Sequence, residues 1–130
     1  MSQFLFKGKI DKVDAEQRVV YGWAYVSEEG DMEVVDHSGD GWSIAELEKS
    51  AHNFVIECRV GKAKHKGDQK STLVESMVFT KEKQAALGID LKKVGWFVGF
   101  RIHDEDVLKQ IESGELTMFS IGGTGTREAV

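Results

Sequence analysis

The sequence predicts an α+β domain. Its centre is a predominantly antiparallel β-barrel, closed or nearly closed, of six to seven strands with two to three flanking helices. Three observations point there. Stretches rich in aromatic and β-branched residues recur along the chain, beginning with Phe4 to Val13 and Arg18 to Val26. Glycines fall inside such stretches at Gly22, Gly95 and Gly99, where a curling sheet needs bulges, tight bends or close backbone approach. Helical spacing is confined to short segments between them. At 130 residues the chain is expected to form one domain, 1–130, large enough to bury a core without disulfides or metals.

Each element has its own signal. Phe4 to Val13 and Arg18 to Val26, separated by Asp14-Ala15-Glu16-Gln17, read as a hairpin, with Trp23 and Tyr25 facing one side. A short strand is expected over Met32 to Val35, followed by loop chemistry from Asp36 to Trp42. Ser43 and Glu46 form a capping box, and Ile44, Leu47, Ala51, Phe54 and Val55 follow at helical spacing, which predicts a helix over 44–55. His52 falls on its solvent face. Glu57 to Gly61 reads as a strand holding Cys58, leading into a basic loop, Lys62 to Lys70. Ser71 to Thr80 is extended. Thr80 then caps a short helix, Lys81 to Leu87, that stops at Gly88. Val94 to Ile102 has the cleanest alternation, with Val94, Trp96, Val98, Phe100 and Ile102 on one face and Gly95, Phe97, Gly99 and Arg101 on the other. Asp104 opens a helix whose Val107, Leu108 and Ile111 point inward, and Ser113-Gly114 closes it. Glu115 to Ile121 is expected to be a strand that breaks at Gly122 and Gly123. Thr124 to Val130 reads as a polar, frayed end.

Composition narrows the function. A formal charge of -5, with Lys and Arg scattered among Asp and Glu, leaves no basic footprint for nucleic acid. Cys58 is the single cysteine, so neither a disulfide framework nor a thiol pair for zinc exists, and a reducing cytosol fits. There is no signal-peptide core and no run of about eighteen apolar residues, so no membrane association is expected. No cofactor is implied. With no proline present, the fourteen glycines supply most of the punctuation.

The chemistry centres on Ser120 in Gly114-Glu115-Leu116-Thr117-Met118-Phe119-Ser120-Ile121-Gly122-Gly123. A serine where a buried strand meets two glycines can have backbone N–H groups aimed beside its hydroxyl. An acyl-transfer nucleophile needs that arrangement, because fixed donors must meet the charge that develops on the carbonyl oxygen. The simpler alternative is a plain turn. Of the four histidines, His65 is the best placed base, where a strand becomes a Gly-containing loop. Its four neighbouring lysines would depress its pKa and keep the ring neutral; alternatively it is a surface residue. Asp36, His37 and Asp40 offer metal-ligand atoms, but their spacing fits no metal loop, and the favoured reading is a turn that starts the following helix. Cys58 reads as a buried small residue rather than a nucleophile, and Trp23, Trp42 and Trp96 as core or rim aromatics.

Together these segments resemble a known family. The residues concerned are Asp36-His37-Ser38-Gly39-Asp40-Gly41, the helix Ile44 to Phe54, His65-Lys66-Gly67, Leu73-Val74-Glu75-Ser76, Gly95-Trp96-Phe97-Val98-Gly99, and Ser113 to Leu116 with Ser120-Ile121-Gly122-Gly123. In this order, over nearly the whole chain, they look like the XkdF-type phage serine proteases, a family similar to the prohead maturation proteases and, more distantly, to the herpesvirus assemblins. The resemblance implies a β-barrel endopeptidase in the host cytoplasm that works inside an assembling procapsid. Its substrates would be scaffold and major coat protein, and itself in some cases, with homo-oligomerisation left open. Ser120 would be the nucleophile, His65 the general base, and the backbone N–H groups of Ile121, Gly122 and Gly123 the oxyanion donors.

Assemblins place a second histidine beyond the serine, and no histidine follows Ser120 here. The orienting group is therefore sought upstream. Glu75 comes first, as an acid on the strand leaving the His65 loop, with Asp36 and Asp40 as alternatives. Phage proteases often carry further segments, so the short stretch after Ser120 fits a trimmed or self-cleaved domain. The rival reading is a catalytically silent barrel that serves as a binding module in capsid assembly or for a host protein.

Overall fold

A computed structural model describes residues 2–29, 32–33, 42–59 and 71–125. The chain order is β1 (Ser2–Asp14), β2 (Val19–Glu29), β3 (Met32–Glu33), α1 (Ile44–Arg59), β4 (Ser71–Phe79), α2 (Lys81–Leu87), β5 (Lys93–Ile102), α3 (Glu105–Ser113) and β6 (Met118–Gly125). Every strand pairing is antiparallel, in the sheet order β4-β5-β2-β1-β6, with the two-residue β3 attached to β2.

The sheet is an open half-barrel, which corrects the expected closed or nearly closed barrel of six to seven strands. β4 and β6 are its two edges, and no ladder joins them among the described residues. Instead α1 packs against β4, β5 and β6 and fills the space between the edges. The helix can do so because Leu47, Ser50, Ala51 and Phe54 form a buried stripe at spacings of three and four residues. That stripe meets Phe6, Val78, Trp96, Val98 and Ile121 from the concave face of the sheet. Trp96, fully buried, sits edge-on to Phe6 and Phe54, and its indole N–H donates to the Ser76 hydroxyl at 2.8 Å. Burying a Leu or Phe side chain stabilises by about 1.5–3 kcal/mol, so this cluster is the main adhesive between helix and sheet.

Curvature comes from irregular register. The ladders shift between Ile10 and Lys12 in β1, between Trp23 and Tyr25 and between Val26 and Glu28 in β2, and between Leu73 and Glu75 in β4. The shift at Ala24 reverses the alternation. Tyr25 turns inward against Phe6, whereas Trp23 lies on the convex face against Phe79 and Phe97, so the two rings do not share a side as expected. Two glycines allow the backbones to approach. A Cβ at Gly22 would meet the Lys9 carbonyl, and one at Gly95 would meet the Tyr25 carbonyl.

The helix termini follow the sequence closely. The Ser43 hydroxyl accepts from Glu46 N–H at 3.2 Å and donates to its carboxylate at 2.8 Å. Thr80 accepts from Lys83 N–H, Asp104 accepts from Val107 N–H, and Gly88 and Gly114 end their helices with φ of 70° and 85°. α1, however, runs past Val55 to Arg59, so Cys58 lies in a helix and not in a strand over 57–61. No glycine or proline interrupts 44–60, and nothing stops the helix at Val55. Residues 60 and 61 of that expected strand, and 34 and 35 of the expected strand at Met32, lie outside the described residues. The last strand also differs. It begins at Met118 rather than Glu115 and continues through Gly122 and Gly123 to Gly125, because Phe4 and Leu5 of β1 pair with both glycines.

Gly95→Ala, whose methyl group would strike backbone rather than a mobile side chain, is expected to lower the unfolding free energy by about 2 kcal/mol. Urea denaturation measures it; a change below about 0.5 kcal/mol would show that β2 and β5 are not held this close.

Candidate active site

Ser120 is carried by the edge strand β6, and the path to it is fixed from both sides. After Gly114 ends α3, Leu116 N–H returns to Gln110 O at 3.0 Å, and Ile10 N–H donates to Thr117 O at 2.9 Å. The second bond sets the parity of the β1–β6 ladder, in which hydrogen-bonded pairs alternate with non-bonded ones. Phe119, Ile121 and Gly123 therefore turn their N–H groups toward Gly8, Phe6 and Phe4, while Ser120 and Gly122 turn theirs to the open edge. Of the three expected oxyanion donors, Gly122 is the one whose N–H this parity leaves outward, and the N–H of Ser120 lies on the same side. Phe119 packs toward the core, Ile121 is buried, and Ser120 between them is exposed.

Beside Ser120 lies a cavity of about 200 Å³. Val107 and Ile111 of α3 and Leu116 form one wall. Ile10, Val20, Phe100 and Ile102 at the end of the sheet form another. Met118, Phe119 and Ser120 all line it, and because consecutive strand residues point to opposite faces, a cavity touching three in a row meets the strand at its edge. Ser71, the first residue of β4, lines the same cavity from the opposite sheet edge. His65 precedes Ser71 by six residues and lies outside the described residues, as do Asp36, His37 and Asp40.

Glu75 is exposed on β4 and stands beside Tyr21. Its hydrogen bond to the phenol, followed by the effect of burial and the carboxylate charge, raises the Tyr21 pKa above the ordinary phenol value. Glu75 is not among the described residues that line the Ser120 cavity. The register explains the Tyr21 contact. Glu75 pairs with Gly99, Gly99 pairs with Tyr21, and a glycine between them lets the ring cross toward the carboxylate. At the start of β4 the Thr72 hydroxyl lies 2.7 Å from His103 Nε2, a contact for which the sequence carries no local signal. His52 is exposed on α1, as expected. Among the described residues no group of three or more His, Cys, Asp or Glu could hold a metal ion, and no helix is long and apolar enough to cross a membrane.

The sequence did not reveal the cavity. Its wall combines α3 with both ends of the sheet, and only the alternation Ile10, Val20, Phe100 and Ile102, read with Val107 and Ile111, could have indicated a second apolar cluster.

The arrangement is an open antiparallel half-barrel with a serine on its edge strand β6 beside an apolar cavity. Residues 8–128 match the family described as "Putative phage serine protease XkdF", and the chain belongs to that family. The uncharacterized protein YqbD of Bacillus subtilis (strain 168) is 34% identical over 110 residues, covering 84% of this chain and 32% of that protein. The phage-like element PBSX protein XkdF of the same organism is 30% identical over 109 residues, covering 84% of this chain and 38% of its own length. The chain thus spans about a third of the length of these curated relatives. No solved structure matches it.

In Glu75→Ala the Tyr21 titration is expected to move down toward the ordinary phenol value, as followed by NMR of the tyrosine rings. A raised pKa gives stability that is present below the ordinary phenol range and lost as pH rises through the Tyr21 value. The variant should therefore differ from wild type in stability at neutral pH and converge with it in strong alkali. An unmoved Tyr21 midpoint would mean that the carboxylate is not its partner.

Proposed function

We propose that this chain is a serine endopeptidase of the phage prohead maturation type. Scaffold and major coat protein, and possible self-cleavage sites, are its substrates, inside an assembling procapsid in the host cytoplasm. The observation that supports this most directly is Ser120, exposed on the edge strand β6 and lining a cavity that Ser71, close in sequence to His65, also lines. Membership of the XkdF family supports the same reaction class.

In this reading the Ser120 hydroxyl adds to the scissile carbonyl carbon while its proton passes to His65. The oxyanion is met by outward backbone N–H groups, with that of Gly122 and that of Ser120 best directed by the ladder parity. Collapse of the tetrahedral adduct breaks the C–N bond, and His65 returns the proton to the leaving amine. Water, deprotonated by His65, then attacks the acyl-enzyme and frees the new carboxylate and Ser120. Glu75 is kept as the first choice for orienting His65, ahead of Asp36 and Asp40. A carboxylate has two oxygens, so one can hold the Tyr21 phenol while the other accepts from the imidazole.

An acylating fluorophosphonate is expected to label Ser120, with labelling abolished in Ser120→Ala and reduced by at least about a thousandfold in rate in His65→Ala. Peptide mapping by mass spectrometry identifies the labelled residue. Absence of labelling in a folded protein, or unchanged cleavage of co-expressed coat and scaffold protein by Ser120→Ala, would favour the silent binding module.

A further inference from the structure

We infer that the cavity beside Ser120 receives the side chain of the residue whose carbonyl is attacked, and that it selects a large apolar side chain there. This inference rests on the peptidase reading above and adds the substrate preference.

Position supports the assignment first. A carbonyl carbon within bonding reach of the Ser120 hydroxyl has its own Cα as neighbour, and the side chain from that Cα begins two bonds away. Ser120 itself lines the cavity, so this side chain is the part of an acyl donor best placed to enter. The strand edge supports it next. Ser120 and Gly122 direct N–H groups away from β1, so an extended peptide laid along β6 would continue the sheet and present alternate side chains to one side.

Size and lining then define what can enter. An apolar cavity of about 150 Å³ holds a benzene ring, and this one is about 200 Å³. A phenylalanine, leucine or methionine side chain fits that space, and an alanine leaves most of it empty. Among the described residues the wall is aliphatic and aromatic apart from Ser71 and Ser120, and none of those that line it is charged. Among these lining residues a lysine or glutamate side chain would lose its hydration without gaining an oppositely charged partner.

Peptidyl diphenyl phosphonates test this, because their side chain occupies the acyl position while the phosphorus is attacked by serine. Acetylated probes bearing phenylalanine, leucine, alanine or lysine side chains would be compared on the full chain, with a side-chain-free fluorophosphonate alongside. The phenylalanine and leucine probes are expected to label Ser120 at least about tenfold faster than the alanine and lysine probes. In Val107→Phe, which fills the cavity, that preference should collapse while circular dichroism shows a retained fold. Should that variant not fold, Ile111→Ala enlarges the cavity instead and should raise the rate of a naphthylalanine probe relative to the phenylalanine probe. Equal rates across the series, or faster labelling by the lysine or alanine probe, overturn the inference while fluorophosphonate labelling leaves the peptidase reading intact. If no reagent labels Ser120, the peptidase reading fails and the inference falls with it.

Discussion

The structure depends on one substitution of forces: where a closed barrel would join its first and last strands by hydrogen bonds, this fold joins them by packing one helix across the gap. Leu47, Ala51 and Phe54 of α1 press on Trp96, Val98 and Ile121, so β4, β5 and β6 are held to a common core with no ladder between the edges among the described residues. Hydrophobic packing has no direction of its own and does not consume the backbone groups of the strands it holds. The edge of β6 is therefore kept in place with no pairing strand among the described residues.

Curvature places that edge opposite β4. Each register shift adds twist to its strand, and three of the four lie in β1 and β2, the strands that lead from the centre of the sheet to β6. Gly22 and Gly95 sit beside these shifts and remove the methyl groups that would prevent the bend. The same irregularity sends Trp23 to the convex face, where it joins Phe79 and Phe97 and receives Lys93 above its ring at 5.9 Å. Bending the sheet and distributing its aromatic residues are thus one event, and Ser71 and Ser120 reach a common cavity as its result.

This division explains what could be read in advance. The capping residues Ser43, Thr80 and Asp104, the terminating Gly88 and Gly114, and the alternation of Val94 to Ile102 are local, and each formed where its own chemistry placed it. Ser120 stood out for a local reason also, a serine before two glycines in an apolar strand. The openness of the barrel, the face taken by Trp23 and the continuation of β6 through Gly122 depend on partners far along the chain. Phe4 and Leu5 decide the last of these, and no pattern inside 115–123 carries that information. The cavity belongs to the same class, since its walls come from β1, β2, β5 and α3 and from both sheet edges.

β6 is an edge strand among the described residues, and its composition bears on the reading proposed above. Exposed strands are commonly protected from pairing with other chains by lysine, proline or inward charges. β6, Met118-Phe119-Ser120-Ile121-Gly122-Gly123-Thr124-Gly125, carries no charge and no proline, although its neighbour β1 has Lys7 and Lys9 exposed opposite Ser120 and Met118. Three glycines among eight residues also remove the side chains that would crowd an incoming backbone. A strand left in this condition resembles a receiving surface more than a protected boundary. Such a surface holds an extended peptide by its main chain, which is common to every sequence, so discrimination must come from side chains. In the peptidase reading proposed above, the apolar cavity at Ser120 would supply it, and a single preorganised edge would then both position a carbonyl and choose among the residues that bear one.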